Sequence, residues 1–504
     1  MKISDRPYNG IYNTDESKVP PCEIPSPLKT ADGGTIRNAF EWMNFRRSEL
    51  LNLFRDEMYG WMPPRPDRMY FETISENWNA FDGTAIRREI RIHCEMNHGG
   101  SKYFDLLLYC PKKIKAPVPV FLGLNGRGNH AASPEKEIRI TQEPVVNWSA
   151  HEVFATEPPD ESTRGVQTDF WNFRGLVERG YAGATLCISE IFYDSPEAFQ
   201  SSIYSLFLPP EKLTAPQRDF GAIGAWAWGL SRALDCLEHE PQIDSKRVIV
   251  HGHSRLGKTA LWAGAVDPRF AMIISNESGC GGASLSRRIF GETIDFLLFW
   301  RTYWFSSAFQ RYRNHEENLP FDQNFLIALA APRPVYVASA TDDLHSDPKG
   351  EYLSAAAAAE GIRRANHHRI ADALRHLQGA VQILRDLALC AGLVDTLHRL
   401  FEELAVLRHA DCIGAGADHR DIVLLQETGF LQLHRQVQRV LAAQGRQDAV
   451  RLFFDNDLFD GLHGQRFDIH FIGDLLVRHD RRRVGVDQND FNTLFPDGAA
   501  RLRA

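Results

Sequence analysis

The segment Gly252-His253-Ser254-Arg255-Leu256-Gly257 follows the apolar run Arg247-Val248-Ile249-Val250 and leads into Lys258-Thr259-Ala260-Leu261-Trp262-Ala263. That order reads as a strand, a tight turn and a helix. A serine at such a turn is a candidate nucleophile. The glycines permit a sharp reversal, the turn lifts the hydroxyl clear of the sheet, and the new helix aims unpaired N–H groups at an oxyanion. The spacing is G-x-S-x-x-G, one residue longer than the G-x-S-x-G of common lipases, and on its own it also fits an ordinary turn. Further on, residues 270–276 read as a buried strand that delivers Glu277 into the loop Ser278-Gly279-Cys280-Gly281-Gly282. A carboxylate at a strand end can orient a histidine. Asp342 and Asp343 follow another apolar run, and paired aspartates in a loop are ordinary turn chemistry.

The elements that must hold these groups are legible as short apolar runs at 117–124, 182–188, 247–253, 271–276 and 334–340, with helical patterns at 221–239 and 255–265. Strands alternating with helices predict a largely parallel sheet covered on both faces. Ligands sit beyond the C-terminal strand ends of such sheets. Ser254, Glu277 and the Asp342-Asp343 pair all fall at such ends. Residues 84–96 and 101–112, joined at His98-Gly99-Gly100, predict a hairpin that opens the sheet. The insert 126–170, with Pro134, Pro144, Pro158 and Pro159, predicts a loop roofing part of the crevice. Within it, Asn125-Gly126-Arg127-Gly128-Asn129-His130 sits where an α/β-hydrolase supplies a second oxyanion N–H, and it lacks the Lys-Ser/Thr of a phosphate-binding loop. Trp226 and Trp228 lie in the 221–239 helix and read as core.

Ser254-Arg255, Lys258, Glu277-Ser278-Gly279 and Arg287-Arg288-Ile289-Phe290-Gly291-Glu292 together resemble the glucuronoyl esterases, carbohydrate esterase family 15. The resemblance extends upstream through residues 221–235 and downstream through 331–339 to 347–354, covering roughly residues 10–355. It implies an α/β fold of the α/β-hydrolase type, a mostly parallel three-layer sandwich, and a serine carbohydrate esterase with no metal or organic cofactor. It further implies Ser254 as nucleophile, Glu277 as triad acid and Arg255 as an oxyanion-stabilising side chain. Lys258 would bind sugar hydroxyls and Glu292 the glucuronate ring. Some relatives take the acid from the later loop, which keeps Asp343 in reserve. His345 stands where the family generally has a tryptophan packed on the uronic acid, so sugar stacking should be weaker. The implied reaction cleaves 4-O-methyl-glucuronoyl esters between xylan and lignin. An acetyl- or methyl-esterase on another sugar and a catalytically impaired sugar-binding remnant remain as alternatives.

The remnant enters because the triad histidine is not identifiable. It should follow the acid in chain order, where the resemblance has ended. His479-Asp480 and His419, between Asp418 and Arg420, are candidates by neighbours alone, and His253 is expected to point off the far side of the elbow. Without that histidine the chain is expected to be nearly inactive.

From about residue 356 the composition changes. Every lysine and tryptophan lies before that point, whereas ten of the 19 histidines lie after it. Residues 1–355 therefore read as the esterase domain lacking its last strand and histidine loop. Residues 356–504 read either as a mainly helical segment, on the spacing of Ile370, Leu374, Leu377, Val381, Leu384 and Leu387, or as poorly ordered out-of-register translation. A formal charge of −8 gives no electrostatic case for nucleic acid or an anionic membrane as partner. A monomer acting on a polysaccharide or small sugar ester is expected. No secretory leader is evident at Met1-Lys2-Ile3, although the family is usually secreted or periplasmic, so location is left open. Eight scattered cysteines show no C-x-x-C pair, and Cys110, Cys187 and Cys236 read as buried free thiols.

Overall fold

The computed structural model describes residues 12–146, 156–364 and 382–386. The chain divides into two compact units, 1–381 and 382–504. In the second, the described stretch is a short strand, Gln382–Asp386. Leu384 lies in that strand, which corrects the helical reading there: three-to-four-residue spacing over a short run is a weak prior that context overrides. The rest of that pattern, and His419 and His479, lie outside the described residues.

In the first unit the strands of the main sheet are β1 (Arg68–Asn79), β2 (Ala85–Glu95), β3 (Ser101–Pro111), β4 (Val118–Asn125), β5 (Ala182–Cys187), β6 (Ile243–His253), β7 (Met272–Asn276) and β8 (Val335–Ala340). They lie in the order β1-β2-β3-β5-β4-β6-β7-β8. β1 to β3 and the β3/β5 contact are antiparallel, and β5-β4-β6-β7-β8 are parallel. The expected parallel core and hairpin are therefore present. The hairpin does not open the sheet, because β1 precedes it. β1 escapes a sequence reading because it is an edge strand with neither face buried, so its residues carry no apolar alternation.

Helices cover both faces. On β3, Phe104 packs against Trp228 on one side, and Tyr109 stacks on Phe173 on the other, with ring centroids 6.1 and 5.0 Å apart. An odd separation along a strand puts those residues on opposite faces. Helix α1 (Ala222–Leu237) is buried along its whole length, which explains its small and apolar composition. Trp226 and Trp228 are core residues, and their indole N–H groups donate to the carbonyls of Phe192 (2.7 Å) and Pro64 (2.9 Å). α2 (Arg255–Val266) leaves β6 at the serine turn, and α3 (Ile294–Trp300) presents Phe296. α4 (Pro348–Arg364) carries the chain past residue 355 as one continuous helix.

The described part of the 126–170 insert is anchored on the antiparallel strands. Glu135 accepts from Arg87 and Tyr109, and Arg139 pairs with Asp105 and Glu190. These contacts fix the described part of the insert to β2 and β3. Cys110, Cys187 and Cys236 are buried free thiols. Among the described residues, no helix is long and apolar enough to cross a membrane.

Candidate active site

Ser254 occupies the single residue between β6 and α2, with φ 55° and ψ −126°. This left-handed geometry costs a non-glycine residue about 1–3 kcal/mol and persists only where surroundings enforce it. They do so here. The Ser254 N–H donates to the Asn276 carbonyl at 2.9 Å, and the Ser254 carbonyl accepts from Gly257 and Lys258 at 2.8 and 3.1 Å. The glycines serve close approach rather than unusual dihedrals. A Cβ on Gly252 would run into the Leu256 carbonyl, and one on Gly257 would lie 3.0 Å from both the Gly252 carbonyl oxygen and Ser278 Cβ. The positive end of the helix dipole at the head of α2 suits this position to a developing oxyanion.

Arg255 is fixed by a residue 61 positions upstream. Its guanidinium pairs with Asp194 and lies 4.9 Å from the Trp304 ring centroid. Asp194 also accepts from Tyr303 Oη (2.6 Å) and Trp304 Nε1 (2.8 Å). Burial would raise the Asp194 carboxyl, but the charges of Arg255 and Arg301 and these donors hold it below its ordinary range. Asp194, Tyr303 and Trp304 were missed in the sequence because no local spacing links them to the elbow.

Lys258 and Glu292 come together, but not on an exposed rim. Their side chains are 2% and 8% exposed, and Lys258 Nζ donates to Glu292 Oε2 at 2.7 Å and to the Ser278 carbonyl at 2.6 Å. Burial opposes ionisation of Glu292, yet the Lys258 charge and His345 bring it down to about 2. His345 Nε2 lies 3.6 Å from Glu292 Oε1, with the ring edge-on to Tyr12 and Phe296 at centroid distances of 5.3 and 5.2 Å. Burial lowers His345, but its close polar and charge contact with Glu292 outweighs this and raises it.

Glu277 has φ 44° at the end of β7. Its N–H donates to the Ala338 carbonyl at 2.8 Å, and its Oε1 accepts from the Ala340 N–H at 3.2 Å, so β8 holds it at both ends. Asp343 is half-buried on the following loop and accepts from Ser346 Oγ at 2.6 Å, while Asp342 is exposed. Ser346 Oγ also reaches the Glu277 carbonyl at 3.2 Å, which ties the two acidic positions together.

His253 lies against Glu277. Its Nδ1 lies 3.3 Å from Glu277 Oε2 and 2.8 Å from Asn276 Nδ2. The reason is register: parallel pairing sets His253 beside Asn276, so their side chains share a face. Burial pushes the ring down to about 4, so it is neutral at pH 7, with Nδ1 accepting from the Asn276 amide. Among the described residues, no histidine ring is hydrogen-bonded to the Ser254 hydroxyl. The Asn125–His130 loop is closed on itself and its neighbours: Asn125 Nδ2 donates to Asn129 and Thr185, and the Gly126 carbonyl accepts from Val146. No group of three His, Cys, Asp or Glu side chains among the described residues is placed to hold a metal.

A parallel sheet with a left-handed serine at a strand-to-helix elbow and a carboxylate at the next strand end defines an α/β-hydrolase. A family model described as fungal glucuronyl esterase matches residues 211–364. The carbohydrate esterase MZ0003, from an unknown prokaryotic organism, is 42% identical over 345 residues, covering 68% of this chain and 79% of its own. The solved glucuronoyl esterase of Solibacter usitatus is 38% identical, covers 69% of this chain and 86% of its own, and superposes with a TM-score of 0.63. A 4-O-methyl-glucuronoyl methylesterase of Wolfiporia cocos is 26% identical, covering 64% of this chain and 66% of its own. The chain belongs to carbohydrate esterase family 15, the glucuronoyl esterases, and is a carboxylic ester hydrolase.

Proposed function

We propose that this protein cleaves 4-O-methyl-glucuronoyl esters joining xylan to lignin alcohols through an acyl-Ser254 intermediate. The observation that carries the reading is the left-handed Ser254 at the head of α2, with Arg255 clamped beside it by Asp194. Ser254 Oγ attacks the ester carbonyl and passes its proton to a histidine oriented by Glu277, with Asp343 as reserve acid. The carbonyl oxygen gathers charge beside the first-turn N–H groups and the Arg255 guanidinium. The proton returns to the departing alkoxide. Water, deprotonated by the same base, then releases the uronic acid and restores the serine. Lys258, Glu292 and His345 contact the sugar. The relatives' names, glucuronoyl esterase and 4-O-methyl-glucuronoyl methylesterase, support this substrate.

With a histidine in place as base, a fluorophosphonate should label Ser254, and hydrolysis of benzyl glucuronate should exceed that of p-nitrophenyl acetate. Labelling that survives Ser254→Ala would overturn the nucleophile. A second reading, esterase action on another sugar, is favoured by His345 in place of a stacking tryptophan, and equal or faster acetate hydrolysis would select it. A folded protein that binds glucuronoxylan but is never labelled would be the sugar-binding remnant.

A further inference from the structure

Glu351, on the first turn of α4, is fully buried and plays no part in the chemistry above. Its Oε1 accepts from the Gly279 N–H at 2.8 Å and from Ser278 Oγ at 3.1 Å, and its Oε2 meets Ser339 Oγ. Ser278 Oγ lies 2.7 Å from Ser275 Oγ and accepts from the Ala283 N–H at 2.8 Å. One carboxyl group therefore joins the end of β7, the glycine loop after it, the end of β8 and α4. These are the elements that place Glu277. The same loop offers the Ser278 carbonyl to Lys258.

We propose that Glu351 is a positioning residue for hydrolysis, holding the 277–279 loop so that Glu277 and the Lys258 acceptor keep their places beside Ser254. The proposal rests on the serine-esterase reading above. Its partners differ from those of two other buried carboxylates. Asp322 and Asp347 each have an arginine partner, Arg287 and Arg288. The hydrogen-bonding partners of Glu351 are instead two serine hydroxyls and one backbone N–H, and the charged group facing it is Glu277. Lys258, paired with Glu292, donates to the Ser278 carbonyl of the same loop. Burial, with the Glu277 charge adding to it, raises Glu351 to about 8, so at neutral pH it is a protonated acid that both donates and accepts. A glutamine has the same shape and the same capacity: its carbonyl can accept from Gly279 and Ser278 while its amide donates to Ser339.

The test compares Glu351→Ala and Glu351→Gln with the full-length parent, measuring the rate of fluorophosphonate labelling at Ser254, kcat and KM on benzyl glucuronate, and thermal melting. A displacement of about 1 Å in a catalytic group costs roughly 100-fold in rate. Glu351→Ala is therefore expected to lower kcat and labelling 10- to 100-fold with KM little changed. Glu351→Gln is expected to restore most of the rate near pH 7. If Glu351→Ala does not fold, the glutamine variant alone decides. The parent should lose rate as pH passes about 8, where a second negative charge forms beside Glu277, while Glu351→Gln should hold its rate to higher pH. Identical pH profiles for parent and Glu351→Gln, or a folded Glu351→Ala with the parent's kcat, would overturn the proposal. Absence of Ser254 labelling in the parent would instead overturn the active-esterase reading in favour of the sugar-binding remnant, and this proposal with it.

Discussion

Replacing Glu292 by glutamine tests whether the pair beneath the crevice is held as described. The carboxylate falls from its ordinary 4.5 to about 2 in the folded chain: burial would raise it, and Lys258 with His345 overcomes burial. A drop of that size corresponds to about 3 kcal/mol of stability. Because the folded value is the lower one, that stability is complete above the ordinary carboxylate range and drains away as pH falls from about 4.5 toward 2. A second route gives a similar figure. Removing one partner of a buried ion pair typically costs about 3–5 kcal/mol, and both side chains here are almost fully buried. Glu292→Gln should therefore lose about 3 kcal/mol in urea unfolding at pH 7. For a folded unit of about 350 residues this is a melting shift of roughly 4 °C. At pH 2.5 the gap between parent and variant should shrink below about 1 kcal/mol. Replacing both partners by apolar residues of similar size should recover part of the loss. Equal stability at pH 7, or a gap that does not narrow in acid, would refute the reasoning.

Asp194→Asn removes the charge that holds Arg255 and is expected to lower kcat about 100-fold with little change in KM, since one oxyanion donor contributes on the order of 10²–10³; an unchanged kcat would show that Arg255 does not need it. His345→Trp should improve sugar stacking by about 0.5–1.5 kcal/mol and lower KM roughly 2- to 10-fold at constant kcat, and a raised KM would mean that the contact with Glu292 matters more. Cutting the chain after Arg364 should leave the melting of the first unit unchanged. Turnover lost at constant melting would place the catalytic histidine beyond the cut, whereas lowered melting would show that the later residues complete the core.

The elbow and the parallel strands were legible because each is written in a contiguous run: an apolar strand, a glycine-flanked serine, then small helix-forming residues. What the sequence concealed was set by contacts far along the chain. Lys258 and Glu292 are 34 residues apart, and only the fold buries them together as an ion pair. Asp194 is invisible as a partner of Arg255 until the chain end after β5 is placed beside α2. His253 comes near Glu277 only because pairing with β7 sets it beside Asn276. β1 was lost for the opposite reason, having no buried face to mark it.

That unmarked strand has a consequence for how copies of this protein meet one another. A terminal strand offers a row of backbone donors and acceptors to any passing chain, and long flat apolar edges invite intermolecular pairing. β1 carries Arg68, Glu72 and Glu76 at exposed or half-buried positions, and its register with β2 slips between Thr73 and Ser75. Charge makes the approach of a second copy costly, and the irregularity breaks the straight ladder that an added strand would need. The same features that hide β1 from a hydrophobic pattern guard this side of the sheet against aggregation.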